Sequence, residues 1–427
     1  MARARRHKSA PKITSIAGLE ISEIGGRGDG VGVIAGESIH VAFTAPGDVV
    51  DVTWRDGRWA ATSFHQRSDW RREPPCSVCG RCGGCALQHI TGETYRAFKV
   101  ERVVSLADNY GFDPSLVNPM ISCAPASRRR ALFALRRRDG RKIFGFHERG
   151  SRAIVDIDEC VVLAPEFANK LPVLRSLGDV ILDAFPAAQM QATLCQNGFD
   201  INLSGDIDAG DLSYDARENI ADAARNAHVA RISIHREVLA AFAEPIVRFG
   251  DVDVVLPPGG FLQASQEGEA HLTKLVMAAV TGAKNCADLF CGCGTFSMPL
   301  AKEASVTGID SDARAIDALQ SAASRHMQRD AINASRRNLF NNPLVIDELN
   351  VFDALLLDPP RAGAQSQVSE IAKSTVETVV SVSCNPQTFF RDAALLRDGG
   401  YTLQSLTPVD QFVYSPHIEL VGVFVRP

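Results

Sequence analysis

Apolar and polar residues alternate in short runs near the start of the chain. This period-two pattern predicts β-strands, and glycine-rich and Pro-Gly stretches between the runs predict turns. The predicted strands are residues 19–24, 32–34, 39–43 and 49–54. Several short strands within about 50 residues indicate a small β-barrel, an architecture that often binds oligonucleotides on one face. A polar stretch ending in Pro74 and Pro75 predicts a linker.

Two further patterns follow along the chain. From residue 76 to about 260, β-like runs mix with helical ones, which predicts an α+β region; the runs lie at residues 130–135, 143–146, 192–194 and 232–234. Beyond it, apolar strands alternate with helix-length segments, which predicts a parallel α/β sheet. Its strands are predicted at residues 286–290, 306–309, 354–357, 378–382, 401–405 and 419–425.

Length and hydropathy restrict the class of protein. The chain has 427 residues, 45% of them hydrophobic, which is enough for a sizeable core and about three domains. No apolar run reaches the roughly 18 residues that a membrane helix needs, and no apolar segment follows the basic start. We therefore expect a cytoplasmic protein without a membrane partner, in which residues 1–12 form a disordered basic tail.

Charge is distributed unevenly. The net charge of −5 would argue against a nucleic-acid partner if it were spread over the whole surface. Residues 128–152, however, contain ten Arg and Lys against two acidic residues. This basic strip predicts a surface that binds RNA phosphates.

The cysteines point to a metal or cluster site. Four of the eleven fall within ten residues, at Cys76, Cys79, Cys82 and Cys85. An odd total in a chain without a predicted signal peptide favours metal binding over disulfides. Spacing alone selects these four thiols and leaves iron–sulfur and zinc open.

A glycine-containing loop predicts a cofactor pocket. Asp288-Leu-Phe-Cys-Gly-Cys-Gly-Thr follows a predicted strand and opens a helix, and Gly292 and Gly294 allow a close approach of backbone to ligand. Asp310 ends the next strand, where its carboxylate can bind both ribose hydroxyls. The acidic loop suits the sulfonium of S-adenosylmethionine better than a pyrophosphate. The alternative is a glycine-rich turn in an arbitrary α/β domain.

Two later motifs carry reactive side chains. Asp358-Pro-Pro-Arg and Ser383-Cys-Asn-Pro each follow a predicted strand, at the sheet edge where α/β proteins bind ligands. A Cys384 thiolate there could add to C6 of a pyrimidine and activate C5 for methylation. Glu419 could then remove the C5 proton, with His417 on the same side of the strand. The alternatives are a buried structural cysteine and a salt-bridged glutamate.

Together these motifs resemble the RNA 5-methyluridine (uracil-C5) methyltransferases, in the branch that methylates 23S ribosomal RNA and carries an iron–sulfur cluster. The resemblance implies a multidomain fold: a TRAM-like (OB-like) β-barrel over residues 13–70, a central α+β iron–sulfur and RNA-binding domain over 76–260, and a Rossmann-like methyltransferase domain over 261–427. A helical part near residues 93–122 is expected to pack on the catalytic domain.

The resemblance also implies roles for individual residues. Cys384 would be the nucleophile and Glu419 the base. S-adenosylmethionine would lie among Gln263, Phe290, Thr295, Asp310, Asn338 and Asp358. A [4Fe–4S] cluster would be held by Cys76, Cys82, Cys85 and Cys160, with Cys79 as an extra thiol. Cys123, Cys195, Cys286, Cys291 and Cys293 are expected to be packed as small apolar residues.

The hypothesis from the sequence is therefore a monomeric enzyme that forms 5-methyluridine in 23S ribosomal RNA. One alternative keeps the chemistry but takes transfer RNA as substrate. Another is a non-catalytic iron–sulfur RNA-binding or assembly factor, which the presence of both Cys384 and Glu419 opposes.

Overall fold

The computed structural model describes residues 13–55, 57–326 and 331–426. It divides into two compact units: the first comprises Met1–Arg102, His147–Ala153 and Tyr414–Pro416, and the second comprises Val103–Phe146, Ile154–Val413 and His417–Pro427. The basic tail predicted at residues 1–12 lies outside the described residues. None of the helices in the described ranges combines the length and apolar character needed to cross a bilayer.

The first unit is built on a six-stranded sheet. Its strands are β1 (Ser15–Glu20), β2 (Glu23–Ile24), β3 (Gly30–Ile34), β4 (Glu37–Val41), β5 (Val49–Arg55) and β6 (Arg58–Gln66), in the order β1-β5-β6-β4-β3-β2. Val50 and Val52 of β5 are buried, as the alternating pattern requires. Ala35 and Gly36 both have positive φ, which is the geometry of a tight hairpin turn between β3 and β4. Closure of this sheet into a barrel stays a prediction.

The cysteine segment, residues 76–85, follows this sheet as turns and loop without a helix or strand. Helix α1 (Gly92–Asn109) comes next. Residues from Val103 onward belong to the second unit, where Val103 and Ala107 are buried in the core beside Phe389 and Phe390.

A seven-stranded sheet forms the first part of the second unit. After the short strand β7 (Ile121–Ser122) come β8 (Arg130–Arg138), β9 (Arg141–His147), β10 (Ile154–Asp156), β11 (Ala187–Cys195), β12 (Gly198–Ser204), β13 (Val229–Ile234) and β14 (Glu237–Ala241), in the order β10-β9-β8-β11-β12-β13-β14. The helices are α2 (Pro165–Ala168), α3 (Leu171–Ala184) and α4 (Tyr214–Asn226). Leu174, Leu177 and Ile181 form the buried face of α3. A hairpin of β15 (Ile246–Phe249) and β16 (Val252–Val255) follows.

The basic strip divides between two environments along β8 and β9. Arg136, Arg137, Arg138 and Arg141 are exposed at the hairpin end. Arg129, in contrast, is buried and forms an ion pair with Glu269. Only part of the strip is therefore available as a surface for an anionic partner.

An eight-stranded sheet forms the remainder. It contains β17 (Asn285–Leu289), β18 (Ser305–Asp310), β19 (Ile332–Arg336), β20 (Ala354–Leu357), β21 (Thr378–Ser383), β22 (Thr402–Asp410) and β23 (Glu419–Val425), in the order β19-β18-β17-β20-β21-β23-β22-β7. The helices are α5 (Gln266–Ala279), α6 (Ser297–Leu300), α7 (Ala313–His326), α8 (Ile346–Leu349), α9 (Gln365–Ile371) and α10 (Pro386–Asp398).

The direction of the last strands corrects one prediction. Strands β17 to β21 are parallel, as expected, but β23 is antiparallel to both β21 and β22. The sheet is mixed because β23 returns between β21 and β22. This places the start of β23 at the same edge of the sheet as the end of β21, where Ser383 pairs with Leu420.

Candidate active site

A cavity of about 540 Å³ lies where the parallel strands end. The carboxyl ends of four strands lie at this edge, which is the usual ligand-binding position of an open α/β sheet. These strands are β17, β18, β20 and β21. The cavity is lined by Arg128, Arg130, Phe261, Leu262, Gln263, Ala264, Phe290, Cys291, Gly292, Cys293, Thr295, Phe296, Asp310, Ser311, Phe340, Asp358, Pro359, Pro360, Arg361, Cys384, Phe412 and Glu419.

The loop after β17 forms one wall through an unusual backbone. Phe290 has a φ of 66°, rare for a residue with a side chain, and its N–H donates to the Ile309 carbonyl at 2.8 Å. The Gly292 N–H donates to Asp310 Oδ2 at 3.1 Å, and the Asp312 N–H donates to Oδ1 at 2.8 Å. The Asp310 carboxylate is thereby held in a fixed direction beside the cavity.

Two carboxyl groups, the buried Asp288 and the half-buried Asp358, lie along this edge. Asp288 accepts a hydrogen bond from Ser297 Oγ at 2.5 Å, while its Oδ1 has no partner within the described residues. Burial, reinforced by the charge of Asp310, raises the pKa of Asp288 to about 7. Burial and the charge of Asp288 likewise raise the pKa of Asp358 to about 7, against a hydrogen bond from Gln263 Nε2 at 3.0 Å. A cationic ligand would favour the ionised form of both groups.

Cys384 follows β21 directly and is half-buried on the cavity wall. Its neighbour Asn385 caps α10 by accepting from the Gln387 N–H at 3.2 Å, and it donates to the Arg361 carbonyl at 3.0 Å. These bonds fix the turn that presents the thiol. Burial, followed by the charge of Glu419, raises the pKa of Cys384 to about 11, whereas Arg361 lowers it.

Glu419 is the first residue of β23 and is buried. Its Oε1 accepts from Gln411 Nε2 at 3.0 Å, while Oε2 has no partner in the part of the chain that the structure describes. Burial and then Asp358 raise the pKa of Glu419 well above its ordinary value, and Gln411 and Arg361 oppose this. A buried carboxyl with a raised pKa and one unused oxygen, on the wall of the cavity that Cys384 also lines, is suited to proton transfer.

An aromatic side chain lies at the cavity rim. Phe261 is 67% exposed, and the guanidinium carbon of Arg130 lies 4.6 Å from its ring centroid. Arg130 also donates to the Leu262 carbonyl, and burial lowers the pKa of Arg130 to about 10. Arg130 thus contacts one face of an exposed ring, an arrangement suited to stacking of a base on the other face.

The structure brings together most of the residues predicted from the sequence. The cavity is lined by Gln263, Phe290, Thr295, Asp310, Asp358, Cys384 and Glu419. Asn338 is exposed and does not line it; its Oδ1 accepts from the Phe340 N–H at 3.0 Å, and Phe340 lines the cavity instead. His417 is also exposed, with its ring 6.0 Å from Phe412.

Sequence reasoning did not single out Arg361, Arg130 and Gln411. Arg361 stands in the Asp358-Pro-Pro-Arg motif, so the motif itself carried a signal for it. Arg130 belongs to the basic strip, but its position in the cavity wall depends on how β8 packs. Gln411 precedes Glu419 by eight residues in a loop without a recognisable pattern.

The cysteines fall into two groups. Those expected to be packed in the core, Cys123, Cys195, Cys286, Cys291 and Cys293, are buried. In the cysteine segment the thiols are half-buried. Burial and then the neighbouring Cys76 raise the pKa of Cys79 to about 11, and the Gly84 N–H donates to Cys82 Sγ at 3.5 Å. Within the described residues, no three His, Cys, Asp or Glu side chains are arranged to hold a metal ion.

Comparisons with known proteins agree with this geometry. The model of the tRNA (uracil-5-)-methyltransferase family matches residues 258–426. An uncharacterized RNA methyltransferase of Brucella melitensis is 40% identical over 409 residues, 96% of this chain and 97% of its own. The 23S rRNA (uracil(1939)-C(5))-methyltransferase RlmD of Vibrio parahaemolyticus is 28% identical over 96% of this chain and 95% of its own.

A solved structure has the same fold over nearly the whole chain. The Pyrococcus abyssi tRNA (uracil-54, C5)-methyltransferase, in complex with S-adenosyl-L-homocysteine, superposes with a TM-score of 0.72 at 23% identity, covering 96% of this chain and 99% of the other. With a relative 40% identical along almost its full length, a family model on its catalytic region and this cavity, the chain belongs to the S-adenosylmethionine-dependent RNA (uracil-C5) methyltransferases.

Proposed function

We propose that this enzyme forms 5-methyluridine in 23S ribosomal RNA, with Cys384 as nucleophile and Glu419 as base. The observation that carries the proposal is that both side chains line one cavity, which also contains the acidic and glycine-loop residues expected around the methyl donor. The full-length relative from Vibrio parahaemolyticus, named for this reaction on 23S rRNA, supports the choice of substrate.

The residues fit S-adenosylmethionine. A cavity of about 540 Å³ can take a nucleoside-sized ligand, and the backbone at Gly292 leaves open space where a side chain would project. We propose that Gln263, Phe290, Thr295, Asp310 and Asp358 hold it. Bound there, it supplies an electrophilic methyl group on a positively charged sulfur. The elevated pKa values of Asp288 and Asp358 are consistent with carboxyl groups that ionise when a cation enters.

The reaction needs a nucleophile because C5 of uracil is too weakly nucleophilic to be methylated unaided. The Cys384 sulfur adds to C6, and the electron pair of the C5–C6 bond becomes available at C5. After C5 has been methylated, the Glu419 carboxylate removes the C5 proton. The C5–C6 double bond re-forms, the C6–S bond breaks, and its electron pair returns to sulfur.

Arg361 assists the first step through its charge. It lowers the pKa of a thiol that burial and Glu419 raise, so it stabilises the thiolate that must form. It also lowers the pKa of Glu419, which must be ionised before the last step. One guanidinium on the cavity wall therefore favours the reactive form of both the nucleophile and the base.

The RNA has to present an unstacked base to this cavity. The exposed arginines at the β8–β9 hairpin are suited to hold phosphates, and the exposed ring of Phe261 is suited to stack on a base. We propose that these groups retain the RNA while the target uridine leaves its helix, since C5 and C6 cannot be reached in a stacked duplex.

We further propose that Cys76, Cys82, Cys85 and Cys160 hold a [4Fe–4S] cluster, as the family resemblance implies. The donor set fits in kind: the side chains are thiols outside disulfide bonds, and Cys82 Sγ already accepts a backbone N–H, as cluster ligands commonly do. With four thiolate ligands, such a cluster would stabilise the loop-rich cysteine segment and leave the methylation chemistry to Cys384 and Glu419.

The test is methyl transfer by anaerobically purified protein. Labelled S-adenosylmethionine is supplied with unmodified 23S fragments or unmodified transfer RNA, and the labelled nucleoside is identified. We expect 5-methyluridine in the 23S fragments, its loss in Cys384→Ser, and its retention in the matched variant Cys195→Ala, which alters a buried thiol away from the cavity. Label in transfer RNA alone would show that transfer RNA, and not 23S rRNA, is the substrate. RNA binding without any label would favour the non-catalytic alternative.

A further inference from the structure

One buried amide connects the two ends of the active site. Gln411 is 3% exposed and lies just after β22. Its Nε2 donates to Glu419 Oε1 at 3.0 Å and to Gln263 Oε1 at 2.7 Å, and its Oε1 accepts from the Ala264 N–H at 2.9 Å. Gln263 in turn donates to Asp358 at 3.0 Å. A continuous chain of hydrogen bonds therefore runs from Asp358 to Glu419.

The orientation of both amides is determined by this network. The backbone N–H of Ala264 can only donate, so the Gln411 oxygen must face it, and the two N–H groups of Gln411 must face Gln263 and Glu419. Gln263 consequently presents its oxygen to Gln411 and its nitrogen to Asp358. Reversal of either amide would oppose donor to donor or acceptor to acceptor at a buried position.

Helix α5 leaves room for this residue. At Gly268, an added Cβ would lie 2.6 Å from Gln411 Cβ and 3.1 Å from Gln411 Oε1. A side chain at position 268 would therefore push Gln411 away from its partners.

We propose that Gln411 is a positioning residue for the elimination step, which holds the Glu419 carboxylate towards the reaction centre and keeps Gln263 in a single amide orientation. This inference rests on the base role proposed for Glu419. It extends that role by naming the group through which the carboxylate is oriented, although Gln411 itself is absent from the cavity wall.

The charges around Glu419 indicate what Gln411 contributes. Burial and then Asp358 raise the pKa of Glu419, while the Gln411 hydrogen bond and Arg361 lower it, and Cys384 lines the same cavity. Among these groups Gln411 is a neutral donor that binds the carboxylate directly. Its loss would favour the protonated acid, and a protonated acid cannot accept the C5 proton.

The test compares Gln411→Met, which keeps the length and removes the amide, with Gln367→Met. Gln367 is an equally buried glutamine that bonds the Leu344 backbone and lies away from the cavity. Single-turnover reactions with RNA are monitored on denaturing gels, on which protein still covalently attached to RNA through Cys384 is visible. Loss of a hydrogen bond to a charged group lowers a rate that depends on it by about 10- to 100-fold. We therefore expect Gln411→Met to slow release of RNA by about that factor and to accumulate the adduct.

Two further readouts separate positioning from a loss of packing. The rate of RNA release should rise with pH, and in Gln411→Met the midpoint of this rise should shift to a pH about one unit higher. Gly268→Ala should cause the same accumulation of adduct and the same shift of the midpoint. Gln367→Met should lower the melting temperature without either effect. If Gln411→Met releases RNA at the normal rate with an unmoved pH profile, Gln411 has no positioning role.

The variant Glu419→Gln distinguishes failure of this inference from failure of the proposed function. It should accumulate the methylated adduct because no carboxylate remains to take the C5 proton. If Glu419→Gln accumulates adduct and Gln411→Met does not, the positioning role is wrong and the base role stands. If Glu419→Gln releases product normally, the base role itself is wrong, and the role inferred for Gln411 fails with it.

Discussion

The guanidinium of Arg361 and the thiol of Cys384 line one cavity, and Arg361 lowers a thiol pKa that burial and Glu419 raise to about 11. Replacing Arg361 by Gln should therefore raise that pKa further and reduce the thiolate fraction at pH 8. We expect alkylation of Cys384 by iodoacetamide to slow by roughly three- to tenfold, which corresponds to half to one pKa unit. The rate is measured by mass spectrometry on the peptide that contains Cys384.

The matched control for this measurement is Arg248→Gln. Arg248 lies on the β15–β16 hairpin, paired with Asp253 at 2.7 Å, and does not line the cavity. It should leave the alkylation rate unchanged. An equal rate in Arg361→Gln and the unaltered protein would show that the arginine charge does not act on the thiol.

A second prediction concerns stability and pH at Asp288. Because its pKa is raised from 3.8 to about 7, Asp288 contributes stability that is fully present below pH 3.8 and lost as the pH rises through 7. Three pKa units correspond to about 4 kcal/mol for this fully buried group. Asp288→Asn should therefore melt at a higher temperature than the unaltered protein at pH 8, with the difference closing towards pH 4.

Asp353 provides a comparison of opposite sign. It accepts from the Lys284 and Asn285 N–H groups at 2.8 and 2.9 Å, and these backbone bonds lower the pKa of Asp353. Asp353→Asn should lower the melting temperature at pH 8, with the loss shrinking as the pH falls below 3.8. Differences that run in the same direction for both variants would contradict the assignment of burial as the cause at Asp288.

A third prediction separates two glycines in the loop after β17. At Gly294 the φ of 101° and an added Cβ 2.7 Å from Leu319 Cδ1 both oppose a side chain. At Gly292 the φ is 55° and an added Cβ meets nothing within 4 Å. We expect Gly294→Ala to lower the melting temperature clearly. Gly292→Ala should cost only the left-handed backbone penalty of about 1–2 kcal/mol, and it should weaken binding of S-adenosylhomocysteine in calorimetry if the loop contacts the donor.

A fourth prediction tests which thiols hold iron. After anaerobic reconstitution we expect about four iron atoms per chain in the unaltered protein and in Cys79→Ser. Cys76→Ser, Cys82→Ser, Cys85→Ser and Cys160→Ser should each lose most of the iron. Retention of iron in Cys160→Ser together with its loss in Cys79→Ser would assign the cluster to four thiols of the cysteine segment instead. Bound zinc without iron would rule out an iron–sulfur cluster.

The strands that were predicted best are those buried on both faces. Residues 354–357 form a continuous apolar run, and β20 occupies these positions because only a central strand buries every side chain. Strand β19 was not predicted, since Ile332–Arg336 is an edge strand with mostly polar side chains. The reversal of β23 was not predicted either, because residue pattern indicates a strand but not its direction.

The same distinction applies to the site. Asp310 ends one strand, and Asp358 and Cys384 directly follow two others, so local pattern places all three at one edge of the sheet. Gln411 contacts Gln263, which is 148 residues away in the sequence, and the local sequence pattern around either residue does not indicate such a contact. Asn338 was expected beside the donor by resemblance; it does not line the cavity, and its side chain accepts a hydrogen bond from the Phe340 N–H.

The antiparallel strand β23 affects the order in which the parts of the sheet and of the site emerge during translation. Translation produces β21, with Cys384 directly behind it, and then β22, but these two strands are not neighbours in the sheet. Until residues 419–425 emerge, the position between β21 and β22 is unfilled, and Glu419, the base that we propose, is absent. Under the proposed mechanism, a nascent chain therefore contains the proposed nucleophile and the residues proposed to bind the donor before it contains the proposed base. A chain truncated after β22 would lack an interior strand of the sheet as well as that base.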